Sequence, residues 1–282
     1  MNGWLTRSAA GIEFLERPGP GATLVLLHGI GSNAQSFTRL MHRLDPALRV
    51  IAWNAPGYGA STPLAADWPM AADYAAALRR LADACAPGPI VLLGHSLGCL
   101  IAAAFAVMEP RRVAGLVLAS PARGHGVAPG GDPGPAARAR IAELERLGPA
   151  TLAARRAPRL LHAPERRPDL LAEVTAAMAR VSLPGYAQAA RMLASGRLED
   201  DAARLAVPTD VIVGAEDRIT PPDAAASVHA ALPPAIRGQL RLVPGAGHAL
   251  CLEAPDAVAG IVAARIAAAA PGRPATAREE TG

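Results

Sequence analysis

The sequence predicts an α/β fold: a mostly parallel β-sheet flanked by helices, with a helical insertion. Short runs of Val, Ile and Leu recur along the 282 residues, and longer Ala-, Leu- and Arg-rich segments of helical character lie between several of them. Such apolar runs are typical of parallel strands that are buried on both faces. With 51% hydrophobic and 18% charged residues, the composition is that of a folded globular chain rather than a disordered one.

The strand and helix patterns alternate along the chain. The apolar runs predict strands at residues 23–27, 50–53, 90–93, 116–119, 210–213 and 240–243. The longer segments predict helices at residues 71–85, 97–108, 224–231 and 255–270. Sheets of this type bind ligands in the crevice at the carboxyl ends of their strands, so the loops that follow the strands are where functional residues are expected.

One internal segment departs from this alternation. Strand patterns are lost between residues 121 and 205, where Pro, Gly, Ala and Arg dominate. We interpret residues 121–205 as a lid of short helices over the carboxyl edge of the sheet, and residues 1–120 and 206–270 as the core domain. The polar, Pro-containing residues 271–282 are expected to form a disordered tail.

The charged residues exclude several kinds of chemistry. All 28 basic residues are Arg, so a Schiff-base lysine, the usual pyridoxal phosphate enzyme and a phosphate-loop lysine are all excluded. The net charge is +4, and residues 121–205 hold 13 Arg against 9 Asp and Glu, so the whole excess lies in the predicted lid. Aromatic residues make up 3% of the chain and flank no basic run, so we expect no nucleic-acid partner.

The spacing of the cysteines and the length of the apolar runs indicate the cell compartment of the protein and the cofactors that it could bind. The three cysteines are widely spaced, which predicts reduced thiols in a cytoplasmic protein and no zinc site. The charged N-terminal segment lacks the pattern of a signal peptide, and the longest apolar run, residues 97–108, is too short to span a bilayer. We therefore expect no membrane partner, no metal and no organic cofactor, while the oligomeric state is not predicted.

The strongest motif is PIVLLGHSLG at residues 89–98, a strand followed at once by G-x-S-x-G and an apolar helix. This context is that of a nucleophile elbow, in which Ser96 stands on a strained turn with its hydroxyl exposed. Gly94 and Gly98 fit the same interpretation, because a Cβ atom at either position would collide with neighbouring elements in so tight a turn.

A serine hydroxyl needs a neighbouring base, normally a histidine that is oriented by a carboxylate. The predicted strand at residues 210–213 is followed by a loop with two adjacent acids, Glu216 and Asp217. The predicted strand at residues 240–243 is followed by a Gly- and Ala-rich loop that carries His248. The motifs therefore predict a histidine-activated serine, with two candidates for the orienting acid.

With these motifs the sequence resembles the α/β-hydrolase superfamily, and the resemblance covers the chain from about residue 11 to residue 269. In that superfamily the catalytic residues also follow one another along the chain in the order Ser, acid, His. The resemblance implies that Ser96 is the nucleophile and His248 the general base. It favours Asp217 over Glu216 as the orienting acid, because the family places its acid three residues after the strand-terminal glycine, here Gly214.

Two further segments support the resemblance. The LHGIGS turn at residues 27–32 implies an oxyanion hole formed by the backbone N–H groups of Ile30 and Leu97, with His28 in a structural role. The WNAPGYGAS segment at residues 53–61 matches the loop that follows the next strand, except that Asn54 replaces the usual Asp. Asn54 is not one of the three residues of the predicted catalytic triad, Ser96, Asp217 and His248.

Within the superfamily, the sequence is similar to 3-oxoadipate enol-lactonases and related hydrolases of aromatic-ring degradation. The segments that carry this similarity are residues 184–188, 198–208 and 219–222. The resemblance implies hydrolysis of a carboxylic ester or (enol-)lactone through an acyl-enzyme. The arginine excess of the predicted lid would suit a small anionic substrate, because Arg binds carboxylates in a bidentate manner. His95, His125 and Arg123 are the candidate substrate-binding residues.

Two alternatives stay open at this point. The first is a carbon–carbon bond hydrolase that acts on a meta-cleavage-type diketone with the same fold and triad. The second is a non-catalytic binding module with a vestigial triad, although Ser96, Asp217 and His248 are all present in this sequence.

Overall fold

The computed structural model describes residues 4–269, so the tail predicted at residues 271–282 lies outside the described residues. Its centre is an eight-stranded sheet of order β1-β2-β4-β3-β5-β6-β7-β8. The strands are β1 (Leu5–Ala9), β2 (Ile12–Arg17), β3 (Thr23–Leu27), β4 (Arg49–Trp53), β5 (Ile90–His95), β6 (Val113–Ala119), β7 (Thr209–Gly214) and β8 (Arg237–Val243).

Most of this sheet is parallel. Strands β3 to β8 are parallel to one another, whereas β2 is antiparallel to both β1 and β4. All six predicted strands are present, and the predicted α/β class is confirmed. The hairpin of β1 and β2 was not predicted. Its turn is made by Ala10 and Gly11, both with positive φ, of 50° and 77°.

The helices within the described residues are α1 (Thr38–Arg43), α2 (Ala71–Cys85), α3 (Gly98–Met108), α4 (Gly134–Arg156), α5 (Pro168–Met178), α6 (Gly185–Ser195), α7 (Leu198–Ala202), α8 (Pro222–Ala231), α9 (Leu250–Glu253) and α10 (Pro255–Ala269). The four predicted helices correspond to α2, α3, α8 and α10. Helix α4 is interrupted at Gly148, whose φ is 69° and whose neighbour Pro149 cannot continue the hydrogen-bond ladder.

Both faces of the sheet are covered, which explains why its central strands are apolar throughout. In β3, Val25 and Leu27 belong to one core, whereas Leu24 and Leu26 belong to the other, because alternate side chains point to opposite faces. Helices α2, α3 and α8 pack on the first face, and α1 and α10 pack on the second.

The chain between β6 and β7 forms helices α4 to α7, which begin at Gly134. Helix α4 packs against both α5 and α6, and all three contribute residues to the cavity at the carboxyl ends of the strands. Helix α7 packs instead on α3 and α8, and its Leu198 and Ala202 are fully buried in the core of the first face. In residues 4–269, no helix has both the length and the apolar character needed to cross a bilayer.

Candidate active site

The turn between β5 and α3 holds Ser96 in a strained conformation. Its φ is 54°, a value that side-chain-bearing residues rarely adopt. Its backbone N–H donates to the carbonyl of Ala119 at 2.9 Å, which fixes the turn to the neighbouring strand. A Cβ atom on Gly94 would lie 2.5 Å from the carbonyl oxygen of Gly98, and one on Gly98 would overlap the carbonyl of Leu27. The tight elbow therefore requires glycine at both positions.

Three side chains from the ends of three strands form a continuous hydrogen-bonded chain. Nε2 of His248 lies 3.0 Å from Oγ of Ser96, and Nδ1 of His248 lies 2.9 Å from Oδ2 of Asp217. A carboxylate can only accept, so Nδ1 carries the proton and Nε2 is left as the acceptor for the serine hydroxyl. All three residues are buried, and burial strengthens each of these polar contacts.

The carboxylate of Asp217 is held as an ion by its surroundings. Its Oδ1 accepts the backbone N–H of Ile219 at 2.8 Å and that of Thr220 at 2.9 Å. Burial alone would raise the pKa of Asp217, but the hydrogen bond from His248 and these two N–H groups outweigh it and lower the pKa to about 2. The adjacent Glu216 accepts from the N–H of Ala246 at 3.1 Å. The structure therefore places Asp217, rather than Glu216, against His248.

Thr220 is a site residue that the sequence analysis missed. Its hydroxyl lies 3.0 Å from Oδ2 of Asp217, 3.0 Å from the carbonyl of Ser120 and 3.2 Å from Nδ1 of His248. The available signal was its spacing: a hydroxyl residue three positions after an acid forms the local turn in which the carboxylate accepts backbone N–H groups.

The turn after β3 lies directly against the serine. A Cβ atom on Gly29 would be 2.8 Å from Cβ of Ser96 and 3.3 Å from its Oγ, so only glycine allows this approach. Neither the N–H of Ile30 nor that of Leu97 has a hydrogen-bond acceptor within residues 4–269. Ile30 and Leu97 follow Gly29 and Ser96 in the chain, so each has an N–H group without an acceptor near the serine, and the oxyanion hole that they would form stays a prediction.

His28 supports this turn from below. Its Nδ1 lies 2.8 Å from the carbonyl of Gly29, and its Nε2 accepts the N–H of Ala55 at 3.0 Å. Burial lowers the pKa of His28 to about 4, so the ring is neutral with its proton on Nδ1. This arrangement agrees with the structural role that the resemblance implied.

Asn54, which departs from the family pattern, fixes the next loop. Its Nδ2 donates to Oε1 of Glu13 at 2.5 Å, and its Oδ1 accepts the N–H of Ala34 at 2.9 Å. An aspartate at position 54 would bring a second negative charge against Glu13, so the amide suits this neighbour.

A cavity of about 340 Å³ opens above Ser96 and His248. Its walls come from the strand-end loops and from the segment between β6 and β7, which contributes Arg140, Leu160 and Met178 among others. The lining is mainly apolar with a few polar groups, as is usual for a small-molecule site.

The three predicted substrate-binding residues all line this cavity. Nε2 of His95 donates to the carbonyl of His248 at 2.7 Å, and burial lowers the pKa of His95 to about 4. His125 is exposed at the rim. Arg123 is already paired with Glu199, at 2.5 Å, so its charge is compensated.

Three other arginines line the cavity. Arg156 is paired with Glu143, but Arg140 and Arg159 have no carboxylate partner among residues 4–269. Sequence reasoning identified the arginine excess of this segment but did not single out Arg140. The same part of the chain contains no group of three or more His, Cys, Asp or Glu residues arranged to hold a metal ion.

Comparison with known proteins agrees with this geometry. The family model described as "Alpha/beta hydrolase family" matches residues 24–261. The chain belongs to the alpha/beta hydrolase family. Among curated relatives, this α/β hydrolase is 37% identical over 110 residues to the lipase LipV of Mycobacterium tuberculosis, a match that covers 38% of this chain and 41% of that protein. The matched region thus spans about two fifths of the relative's length.

Solved structures extend the likeness over nearly the whole α/β hydrolase. A thermophilic esterase from Thermogutta terrifontis, solved with malate bound, has a TM-score of 0.80 at 26% identity, covering 94% of this chain and 98% of that one. The enol-lactonase from Burkholderia xenovorans LB400 has a TM-score of 0.79 at 21% identity, covering 93% and 100%. At that identity the second match shows a shared fold, so the α/β hydrolase resembles enol-lactonases in architecture.

Proposed function

We propose that this α/β hydrolase is a serine hydrolase that cleaves a carboxylic ester or lactone of a small substrate through an acyl-enzyme on Ser96. The observation that carries the proposal is the hydrogen-bonded chain from Asp217 through His248 to Ser96 at the floor of the cavity. The likeness to a lipase in sequence and to an esterase in structure supports an ester bond as the target.

The geometry suits a two-step acyl transfer. Oγ of Ser96 attacks the substrate carbonyl while Nε2 of His248 takes its proton, and Asp217 stabilises the resulting imidazolium. The N–H groups of Ile30 and Leu97 bind the oxygen that becomes negatively charged. His248 then protonates the leaving alcohol, which stays attached to the acyl group when the substrate is a lactone. Water, activated by the same histidine, releases the acid and restores Ser96.

The substrate is a small acyl compound that carries a negative charge. A volume of about 340 Å³ accommodates a small molecule, and the two arginines without carboxylate partners, Arg140 and Arg159, supply positive charge on the wall. Because that wall belongs to residues 121–205, this segment acts as the lid that selects the substrate, and residues 1–120 and 206–270 supply the chemistry. The partner is thus a small molecule rather than a nucleic acid or a membrane.

The test is covalent labelling combined with turnover. A fluorophosphonate probe is expected to label Ser96 alone, and p-nitrophenyl acetate is expected to be hydrolysed. Ser96→Ala should remove both labelling and turnover, with a loss of roughly a million-fold as for other triad serines. Ser36→Ala is the matched control, because the Ser36 hydroxyl also lines the cavity but is bonded to Ser32 at 2.7 Å.

Each contrary result has its own meaning. Labelling of another residue, or unchanged turnover in Ser96→Ala, would reject Ser96 as the nucleophile. No labelling and no turnover in the wild-type protein would favour a non-catalytic binding module. Cleavage of a meta-cleavage-type diketone without cleavage of esters or lactones, shown by product analysis, would favour the carbon–carbon hydrolase.

A further inference from the structure

A second buried carboxylate lies beneath the histidine loop. Glu253, at the end of α9, has a side chain with 0% exposure, although the proposed mechanism does not use it. Its Oε2 accepts the N–H of Gly247 at 2.9 Å, and its Oε1 accepts the N–H of His162 at 2.8 Å. A carboxylate without such donors would be costly to bury, so these contacts are what keep it there.

The two donors belong to different parts of the fold. Gly247 immediately precedes His248, whereas His162 lies in the segment between β6 and β7. Burial raises the pKa of Glu253, and the two N–H groups and the positive charge of Arg167 oppose that shift. Arg167 also donates to the backbone carbonyl of Glu253 at 3.0 Å, so the carboxylate and its own backbone are both attached to this segment.

The segment between β6 and β7 also contacts the residue that follows His248 in the chain. The carbonyl of Leu160 accepts the N–H of Ala249 at 2.8 Å. A Cβ atom on Gly247 would be 2.8 Å from the backbone nitrogen of His162, so the two chains are in close contact there. The residues before and after His248 are therefore both attached to residues 160–162, and Leu160 itself lines the cavity.

We infer that Glu253 is a positioning residue, which places the imidazole of His248 by joining its loop to the segment that covers the active site. This inference rests on the proposed function, since it concerns the histidine that acts as the base. With Glu253 in this role, the position of the His248 imidazole depends on residues 160–162 of the proposed lid. The lid is accordingly anchored, not free to open, at its contact with the histidine loop.

Glu253→Gln tests this role with little change in size. The two N–H donors approach different oxygens of the carboxylate, so one of them must face the amide NH₂ group of glutamine, whichever way the amide is turned. The histidine loop or residues 160–162 then shift. A misplacement of about 1 Å in a reacting group can cost up to about 100-fold, so we expect kcat to fall about 10-fold to 100-fold with KM changed less than about threefold.

Asp210→Asn is the matched control. Asp210 is also a buried carboxylate that accepts a backbone N–H, from Gln239 at 2.6 Å, and an arginine N–H, from Arg265 at 2.7 Å. It lies near the start of β7, at the opposite end of the strand from the active site. This variant should lose stability but keep kcat within about twofold of the wild type, because it leaves the histidine loop intact.

The second measurement is the downfield proton NMR signal of Nδ1–H of His248, which reports its bond to Asp217. We expect this signal to move or broaden in Glu253→Gln and to be unchanged in Asp210→Asn. If Glu253→Gln does not fold, Glu253→Asp replaces it, because the shorter side chain cannot reach both donors and should show the same loss of kcat.

A folded Glu253 variant with wild-type kcat and an unshifted His248 signal would overturn the inference, and so would an equal loss of kcat in Asp210→Asn. The proposed function fails separately, when wild-type protein neither reacts with a fluorophosphonate nor hydrolyses esters. In that case the His248 signal alone still decides whether Glu253 positions the ring.

Discussion

The hydroxyl of Thr220 lies 3.0 Å from Oδ2 of Asp217, the same oxygen that faces Nδ1 of His248. Thr220 contributes to the acid twice, since its backbone N–H also donates to Oδ1 of Asp217 at 2.9 Å. The carboxylate is thus oriented by its own loop as well as by its contact with the histidine.

Thr220→Val should lower kcat/KM by about tenfold. Valine has nearly the same shape and keeps the backbone N–H, but it removes a hydroxyl that bonds a charged group, an interaction worth about 1.5–3 kcal/mol. Steady-state hydrolysis of p-nitrophenyl acetate measures the loss, and Thr220→Ser should restore most of the activity. Equal rates for the valine variant and the wild type would show that the backbone N–H groups alone hold Asp217.

Gly98→Ala should destabilise the protein by about 3 kcal/mol, because the new methyl group at the start of α3 would overlap the backbone carbonyl of Leu27 at the end of β3, and neither backbone can move aside as a flexible side chain would. Gly131→Ala is the control, since a Cβ atom there has nothing within 4 Å and should change stability by no more than about 0.5 kcal/mol. Chemical denaturation of both variants measures the difference. Similar stabilities for the two would contradict the close packing of the elbow.

His28, which is buried, and His95, which is partly buried, should make stability fall in mild acid. Burial lowers the pKa of His95 to about 4 from its ordinary value of 6.5, and burial does the same for His28. Between these values the unfolded chain binds a proton that the folded chain does not, so stability is lost as the pH falls from 6.5 towards 4.

His95→Gln isolates one of these contributions. Its unfolding free energy, measured in urea at several pH values across that window, should fall less steeply than that of the wild type, by up to about 1.4 kcal/mol per pH unit. The stabilisation that the ionised Asp217 provides depends on pH in a different range. It is present above pH 3.8 and is lost as the pH falls towards 2, so it does not disturb the comparison. Parallel curves for the variant and the wild type would mean that His95 takes up its proton normally in the folded protein.

Arg140→Gln and Arg159→Gln should each raise KM for an ester that carries a free carboxylate by about tenfold or more, since an ion pair in a partly enclosed site contributes more than a neutral hydrogen bond. KM for an uncharged ester of the same size should stay unchanged. Arg155→Gln serves as the control, because Arg155 lies on α4 with Arg140, is exposed and does not line the cavity. A uniform rise in KM for both esters would instead indicate a general change in the shape of the lid.

The central strands were predictable because each is buried on both faces and is therefore apolar throughout. The hairpin of β1 and β2 was not, because four of the five residues of β1 are exposed and the strand contains Thr, Arg and Ser. Helix α1, with six residues, is too short to show a helical period. Strand β1 was thus missed because its residues face solvent, and α1 because its length carries no pattern.

The sequence alone determined the short motifs, because each depends on residues that are neighbours in the chain. A strand, two glycines and a serine require the elbow, because no other residues fit that backbone. What tertiary structure alone decided is which distant groups touch one another. Arg140 rather than Arg123 is left without a carboxylate partner among the described residues, and Glu253 joins the histidine loop to residue 162. These pairings depend on how the strand ends and the lid helices pack in space, and no spacing along the chain encodes them.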